Sequence, residues 1–268
     1  MVKTLFKHEF NYYFNSFIVF SPFLLLVALF VRFLLLFNPT NTIIKTTLIF
    51  SEITLYVGCF VVLFLAFILS LVRFYKNMFS QEGYLTLTLP VTNFQHLFVK
   101  VVTSFINIVL SILIVCLSLF IATTDFDAFF NTISEFFSLI TANGNTFVNI
   151  LSIILFFIVL IVYLVYLIML YYCCITVGQM SNKNRIVMAV LTYFGYYLIT
   201  QFVGIIFVLA FAFGLGDLTF KLFSPFFLAN PEFLMLFIFL FCIIIYGAQI
   251  VLFYYIIMKI LNKKLNLE

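Results

Sequence analysis

Two ionisable side chains, Arg32 and Glu52, stand within stretches built almost wholly from Phe, Leu, Ile, Val and small residues. A charge held among apolar residues of membrane-spanning length is costly, so such residues are functional candidates by default. Arg32 falls about five residues before the outer end of the first apolar run and Glu52 about five after the outer start of the second, so helical rise sets them at similar depth. That spacing predicts an ion pair near the outer mouth. The alternative is that Arg32 snorkels to the headgroups and Glu52 reaches water separately, because a connecting turn makes two helices neighbours without fixing their rotation. The other reactive residues point away from catalysis. His8 and His96 are far apart, and Cys59, Cys116, Cys173, Cys174 and Cys242 all lie in apolar runs, where a thiol acts as a small hydrophobe. Adjacent Cys173 and Cys174 point to different helical faces and have no His or acid nearby, so they are not read as a metal or disulfide pair. There is no phosphate-cradling glycine loop, no H-E-x-x-H, no G-x-S-x-G and no clustered carboxylates. No enzyme activity, metal or cofactor is therefore expected in this chain. Deeper in the apolar runs stand only the neutral groups Asn107, Gln201 and Gln249, which read as interhelical hydrogen-bonding residues and argue against an ion-coupled carrier.

The elements that must position these residues follow from composition. The chain has 268 residues, 66% hydrophobic and 8% charged, with a mean hydropathy of +1.30. Soluble domains carry about 25% charged residues, so a soluble globule is excluded, and so is a disordered chain, which needs low hydropathy. What remains is an all-α, polytopic membrane protein, read as one domain over 1–268. A helix crosses the hydrocarbon core with about 20 apolar residues, and six stretches qualify: 16–37, 47–75, 97–121, 147–178, 187–213 and 233–258. The first is too long for the apolar region of a signal peptide and lacks a small-residue cleavage site, so none is expected. With both termini in the cytoplasm, ten of the 13 basic residues fall on the inner side, as the positive-inside rule requires. Before the first span, Val2, Leu5, Phe6, Phe10, Tyr13 and Phe14 share one helical face, with Lys3, Lys7 and Asn11 on another. Residues 1–15 are thus expected to form an amphipathic helix lying in the inner interface, its lysines towards anionic headgroups, the alternative being a simple cytoplasmic extension of the first span.

The inner loop 76–96 carries dense local signals. Gly83 can stop a helix, Tyr84 to Leu89 alternates apolar and polar residues like an extended segment, and Pro90 ends it. Thr92-Asn93-Phe94-Gln95 then has the form of a capping box, in which the Thr hydroxyl and Gln amide satisfy free N–H groups at a helix start. In the outer loop 122–146, apolar residues from Phe126 to Ile140 recur at helical spacing and predict a helix lying on the outer surface or against the other helices. The second outer loop, 214–232, is broken by Gly214, Gly216, Pro225 and Pro231.

The run from Arg73 through "FYKNMFSQEGYLTLTLPV" to Thr92, followed by Lys100, resembles the inner loop of bacterial type-2 ATP-binding-cassette (ABC) exporter permeases, most closely those of low-GC Gram-positive bacteria. Gly178-Gln179, Asn182 to Arg185 and the terminal Lys-Lys-Leu-Asn-Leu-Glu agree in order and separation. The resemblance implies a half-transporter of six spans with an N-terminal elbow helix. It also implies a second permease subunit, identical or different, and a separately encoded ABC ATPase carrying the ATP and Mg. Membrane lipid surrounds the whole, and no nucleic acid is involved. By position, Asn77, Gln81, Glu82, Gly83 and Tyr84 would meet that ATPase, with Lys183 and Arg185 adding contacts. Two other readings stay open: a non-transporting membrane-embedded binding or assembly protein, and an ion-coupled secondary carrier.

Overall fold

A computed structural model of the chain describes residues 2–37, 42–80, 83, 91–122, 126–140, 146–181, 184–210, 213 and 232–263. Among them are seven helices and no strand: α1 (Val2–Leu35), α2 (Thr42–Phe79), α3 (Asn93–Ala122), α4 (Phe126–Ile140), α5 (Thr146–Gly178), α6 (Arg185–Ala210) and α7 (Glu232–Lys263). Six of them, all but α4, are long and apolar enough to cross a membrane. This is the all-helical, multi-pass architecture expected from composition. Helix is the form that lets an apolar segment satisfy every backbone N–H and C=O within itself, which hydrocarbon demands. Pro22 lies inside α1 and removes one backbone donor, a loss that spanning helices tolerate.

The elbow is the first correction. The structure has no break near residue 15: α1 is one helix of 34 residues, about 51 Å long at 1.5 Å per residue. Its buried residues are Glu9, Tyr13, Ser21, Leu24, Ala28 and Val31, with half-buried Phe17 between. These steps of three and four residues make one uninterrupted stripe. The N-terminal turns therefore continue the packing face of the span instead of peeling away from it, while Lys3, Lys7 and Asn11 are exposed on the other side.

The chain divides into two compact units at Ile133/Ser134, within α4, where a single domain is expected. The physical reason is that packing is local in sequence: α1, α2 and α3 pack on one another, and α5 packs on α6 and on α7. In the first unit, Leu24, Ala28 and Val31 of α1 meet Leu55 and Cys59 of α2, with Ile114, Val115 and Leu119 of α3 against them. Asn107 is an interhelical hydrogen-bonding residue as expected, its amide donating to Ala66 O at 3.0 Å. In the second unit, tyrosines fill the joints. The Tyr166 and Tyr196 hydroxyls lie 2.9 Å apart, and Tyr246 packs on Tyr166 with ring centroids at 5.1 Å. All five cysteines are free thiols, Cys59, Cys173 and Cys174 being buried. The amphipathic helix expected in 122–146 is α4, its first half resting Phe130 on Phe120 and its second Phe136 on Phe156.

Helix α2 runs on to Phe79 and α3 starts at Asn93, shortening the expected loop. The capping box is formed: Thr92 N–H donates to Gln95 Oε1 at 3.2 Å and Gln95 N–H to Thr92 Oγ1 at 3.4 Å. The extended segment Tyr84–Leu89 and Pro90 lie outside the described residues. At the α5–α6 corner, Gly178 sits so close to the next helix that a Cβ there would stand 2.7 Å from Arg185 O and 2.8 Å from Ala189 Cβ. Gly195, by contrast, has nothing within 4 Å of such a position. Gly178→Ala is accordingly expected to cost about 1–3 kcal/mol through overpacking. Gly195→Ala is expected to be neutral or to stabilise the helix by up to about 1 kcal/mol. Thermal unfolding of the purified protein in detergent checks the contrast, and equal effects at both positions would overturn it.

Candidate functional site

The densest polar constellation in the described structure is centred on Glu9, a residue that sequence reasoning passed over. Each of the first three helices contributes groups spaced four apart, so that they lie on one face: Glu9 and Tyr13 from α1, Arg73 and Asn77 from α2, and His96, Lys100 and Ser104 from α3. Arg73 Nε donates to Glu9 Oε2 at 3.1 Å, and Lys100 Nζ donates to Glu9 Oε1 at 3.2 Å. The Asn77 amide donates to Glu9 Oε1 as well. The guanidinium of Arg73 also sits 4.2 Å from the centroid of the Tyr12 ring, a cation–π contact made on the same helix that carries the carboxylate. One turn along, the Tyr13 and Ser104 hydroxyls are 3.2 Å apart.

The cluster is dry. Glu9 is 5% exposed, Lys100 3%, Asn77 2% and His96 1%, and Phe74, Met78, Phe79, Leu97 and Val99 are buried on the same helix ends. Removing a carboxylate and two cations from water is expensive, and the arrangement survives because the carboxylate receives three donors and the cations share it. Charge-assisted hydrogen bonds to both carboxylate oxygens fix geometry as well as charge. It clamps the N-terminal end of α1, the C-terminal end of α2 and the N-terminal end of α3 to a single point. The arrangement offers no nucleophile–base pair, and among the described residues no group of three His, Cys, Asp or Glu could hold a metal. Its capability is mechanical: it transmits position among three helices.

The residues singled out from sequence are distributed differently. Asn77 is buried within the chain and bonded to Glu9, which removes it from any outward contact surface. Gly83 is buried, its N–H donating to Ser80 O at 2.7 Å. Arg185 is the first residue of α6 and is half-buried. Gln81, Glu82, Tyr84 and Lys183 lie outside the described residues. Arg32 of α1 and Glu52 of α2 are both half-buried. Their chain neighbours Val31 and Ser51 are buried in α1 and α2. Glu9 had a legible signal: an acid four residues before Tyr13, hence on the face otherwise read as apolar. Arg73 and Lys100 had one too, because both fall within the expected spans 47–75 and 97–121, yet the charge count treats them as loop residues.

No family model, curated protein or solved structure matches this chain.

Deleting one partner of the cluster leaves buried charge uncompensated, so Glu9→Gln and Lys100→Met are each expected to destabilise the protein by about 3–5 kcal/mol. The double variant should lose less than the sum, with a coupling of about 1 kcal/mol or more. Reversible unfolding in mixed micelles measures the cycle, and strict additivity would show that the two groups do not act on each other.

Proposed function

We propose that the chain is a membrane-spanning permease subunit of an ATP-driven ABC exporter, set in the plasma membrane with both termini in the cytoplasm. It would form the translocation path with a second permease subunit and take its energy from a separately encoded ATPase that binds the ATP and Mg. The observation that carries the reading is where the exporter-like run Arg73–Thr92 and its following Lys100 fall relative to Glu9. Arg73 and Lys100, one on each side of the run, both close on the same α1 carboxylate. A partner pushing on the segment between Phe79 and Asn93 would therefore load α2 and α3 together and, through Glu9, α1. Displacement of a short segment becomes a joint tilt of three helices, the kind of two-state movement that alternates access.

Two further features support the reading. The reciprocal Thr92–Gln95 cap starts α3 abruptly, so force enters the helix at its first turn instead of dissipating in a frayed end. The exposed Lys3, Lys7 and Lys76 lie at the same helix ends as the cluster, which agrees with a cytoplasmic assignment under the positive-inside rule.

The reading is tested by expressing the chain with a candidate ABC ATPase. The two are expected to co-purify, with an ATPase rate that depends on the permease. Glu82→Ala is expected to reduce that stimulation about fivefold or more while membrane insertion is unchanged. Gly83 is the poorer position for this test, because a Cβ there would stand 2.8 Å from Met78 O and disturb the chain itself. A chain that inserts and purifies but never changes the ATPase rate is a membrane-embedded assembly protein instead, and uptake driven by an ion gradient alone would identify a carrier.

A further inference from the structure

Gln249 is expected to hydrogen-bond between helices, and the structure leaves that expectation unmet at one atom. The Gln249 carbonyl oxygen is buried and accepts no hydrogen bond from any described residue. The residue stands near the middle of α7, which runs from Glu232 to Lys263. Hydrocarbon offers no donor at that depth, so a polar group left open there is a functional candidate.

The register of α7 gives its surroundings. Tyr246, Gln249 and Phe253 are three and four residues apart and share one helical face. Tyr246 and Phe253 both pack on the Tyr166 ring of α5, with centroids at 5.1 and 6.0 Å, so Gln249 lies between them on the face turned to α5. Tyr196 of α6 packs edge-on with Phe253 at 5.5 Å, and its hydroxyl lies 2.9 Å from that of Tyr166. Tyr163 adds a further ring, 5.3 Å from Tyr246. All of these residues belong to the second compact unit.

Three helices thus each bring one oxygen to this joint: Tyr166 from α5, Tyr196 from α6 and Gln249 from α7. The bond between the two phenols uses one lone pair of one oxygen, so all three oxygens can still accept. The rings around them carry electron-rich faces. No cation of these helices answers that polarity at this depth. Helix α5 has no charged side chain, α6 has only Arg185 at its first position, and the charges of α7 are Glu232, Lys259 and Lys263, towards its ends.

We infer that this joint binds the ammonium head of an amphiphilic organic amine, with one N–H donated to the Gln249 carbonyl oxygen and the others to the Tyr166 and Tyr196 hydroxyls. A primary ammonium has three donors and no acceptor, the complement of three acceptors on three helices. Its charge is attracted by the tyrosine rings, whereas an anion would be repelled by them. The head is the size of a methyl group, so small ring movements admit it, and the alkyl or aryl tail stays among apolar side chains. As a substrate class for transport, the inference rests on the exporter reading; as a binding site, it stands on the geometry of α5, α6 and α7.

Binding of radiolabelled n-octylammonium to the purified chain in lipid nanodiscs, corrected for empty nanodiscs, tests it. Saturable binding is expected at neutral pH, and uncharged 1-octanol, with the same chain, should not compete. Gln249→Leu is expected to weaken binding about tenfold, without lowering the unfolding temperature, because its carbonyl has no protein partner to lose. Tyr196→Phe keeps the ring and removes one acceptor, and should weaken binding about fivefold. Tyr163→Phe keeps a ring outside the acceptor set and should change affinity by less than about twofold. Lack of saturable binding, competition by 1-octanol, or unchanged affinity in both Gln249→Leu and Tyr196→Phe overturns the inference. Octylammonium binding by a chain that never changes an ATPase rate would remove the exporter reading and leave the site standing. ATPase stimulation by a chain that does not bind octylammonium would do the reverse.

Discussion

A single buried carboxylate, Glu9, sets the geometry of the first half of this protein. Three helices end near it, and each supplies a group that the others must compensate: the carboxylate from α1, a guanidinium and an amide from α2, an ammonium from α3. In a low-dielectric setting the cost of misplacing any of these groups is large, so their mutual satisfaction restricts the helices to one rotation and one height. The continuous burial stripe of α1, from Glu9 to Val31, follows from the same requirement. A helix whose first turns must deliver an acid to α2 and α3 cannot also lie flat in the interface.

The second half is held by different means. Between α5, α6 and α7 no ion pair occurs among the described residues, and the joints are stacked or edge-on tyrosines whose hydroxyls bond to one another. Tyrosine brings a large dispersive surface with one polar atom to satisfy, so it fastens helices without the desolvation cost of a charge. It also fixes rotation less firmly than a charged cluster, because ring contacts tolerate a spread of angles. A clamped unit and a tyrosine-packed unit are suited to different tasks. In the proposed exporter the clamped one would receive force from the ATPase.

Much of this was readable from the residues. Six long apolar runs became six spanning helices, because hydrocarbon leaves a single chain segment no other way to satisfy its backbone. The capping box at Thr92–Gln95 and the amphipathic α4 formed where local pattern put them, since both depend only on neighbours in sequence. Asn107 found its partner on α2. The elbow was misread because a helical period shows that one face is apolar without showing what covers it, lipid or protein.

The sequence by itself determined what depends on local pattern and solvent: helix, span number and caps. Tertiary structure alone decided which charges meet. Glu9, Arg73 and Lys100 are separated by 64 and 91 residues along the chain, and nothing local links them. Only the packing of α1 against α2 and α3 brings one carboxylate within reach of both cations. The physical reason is that helix formation is settled by neighbours a turn away, whereas pairing depends on the rotation of whole helices, which the buried groups on all three set together.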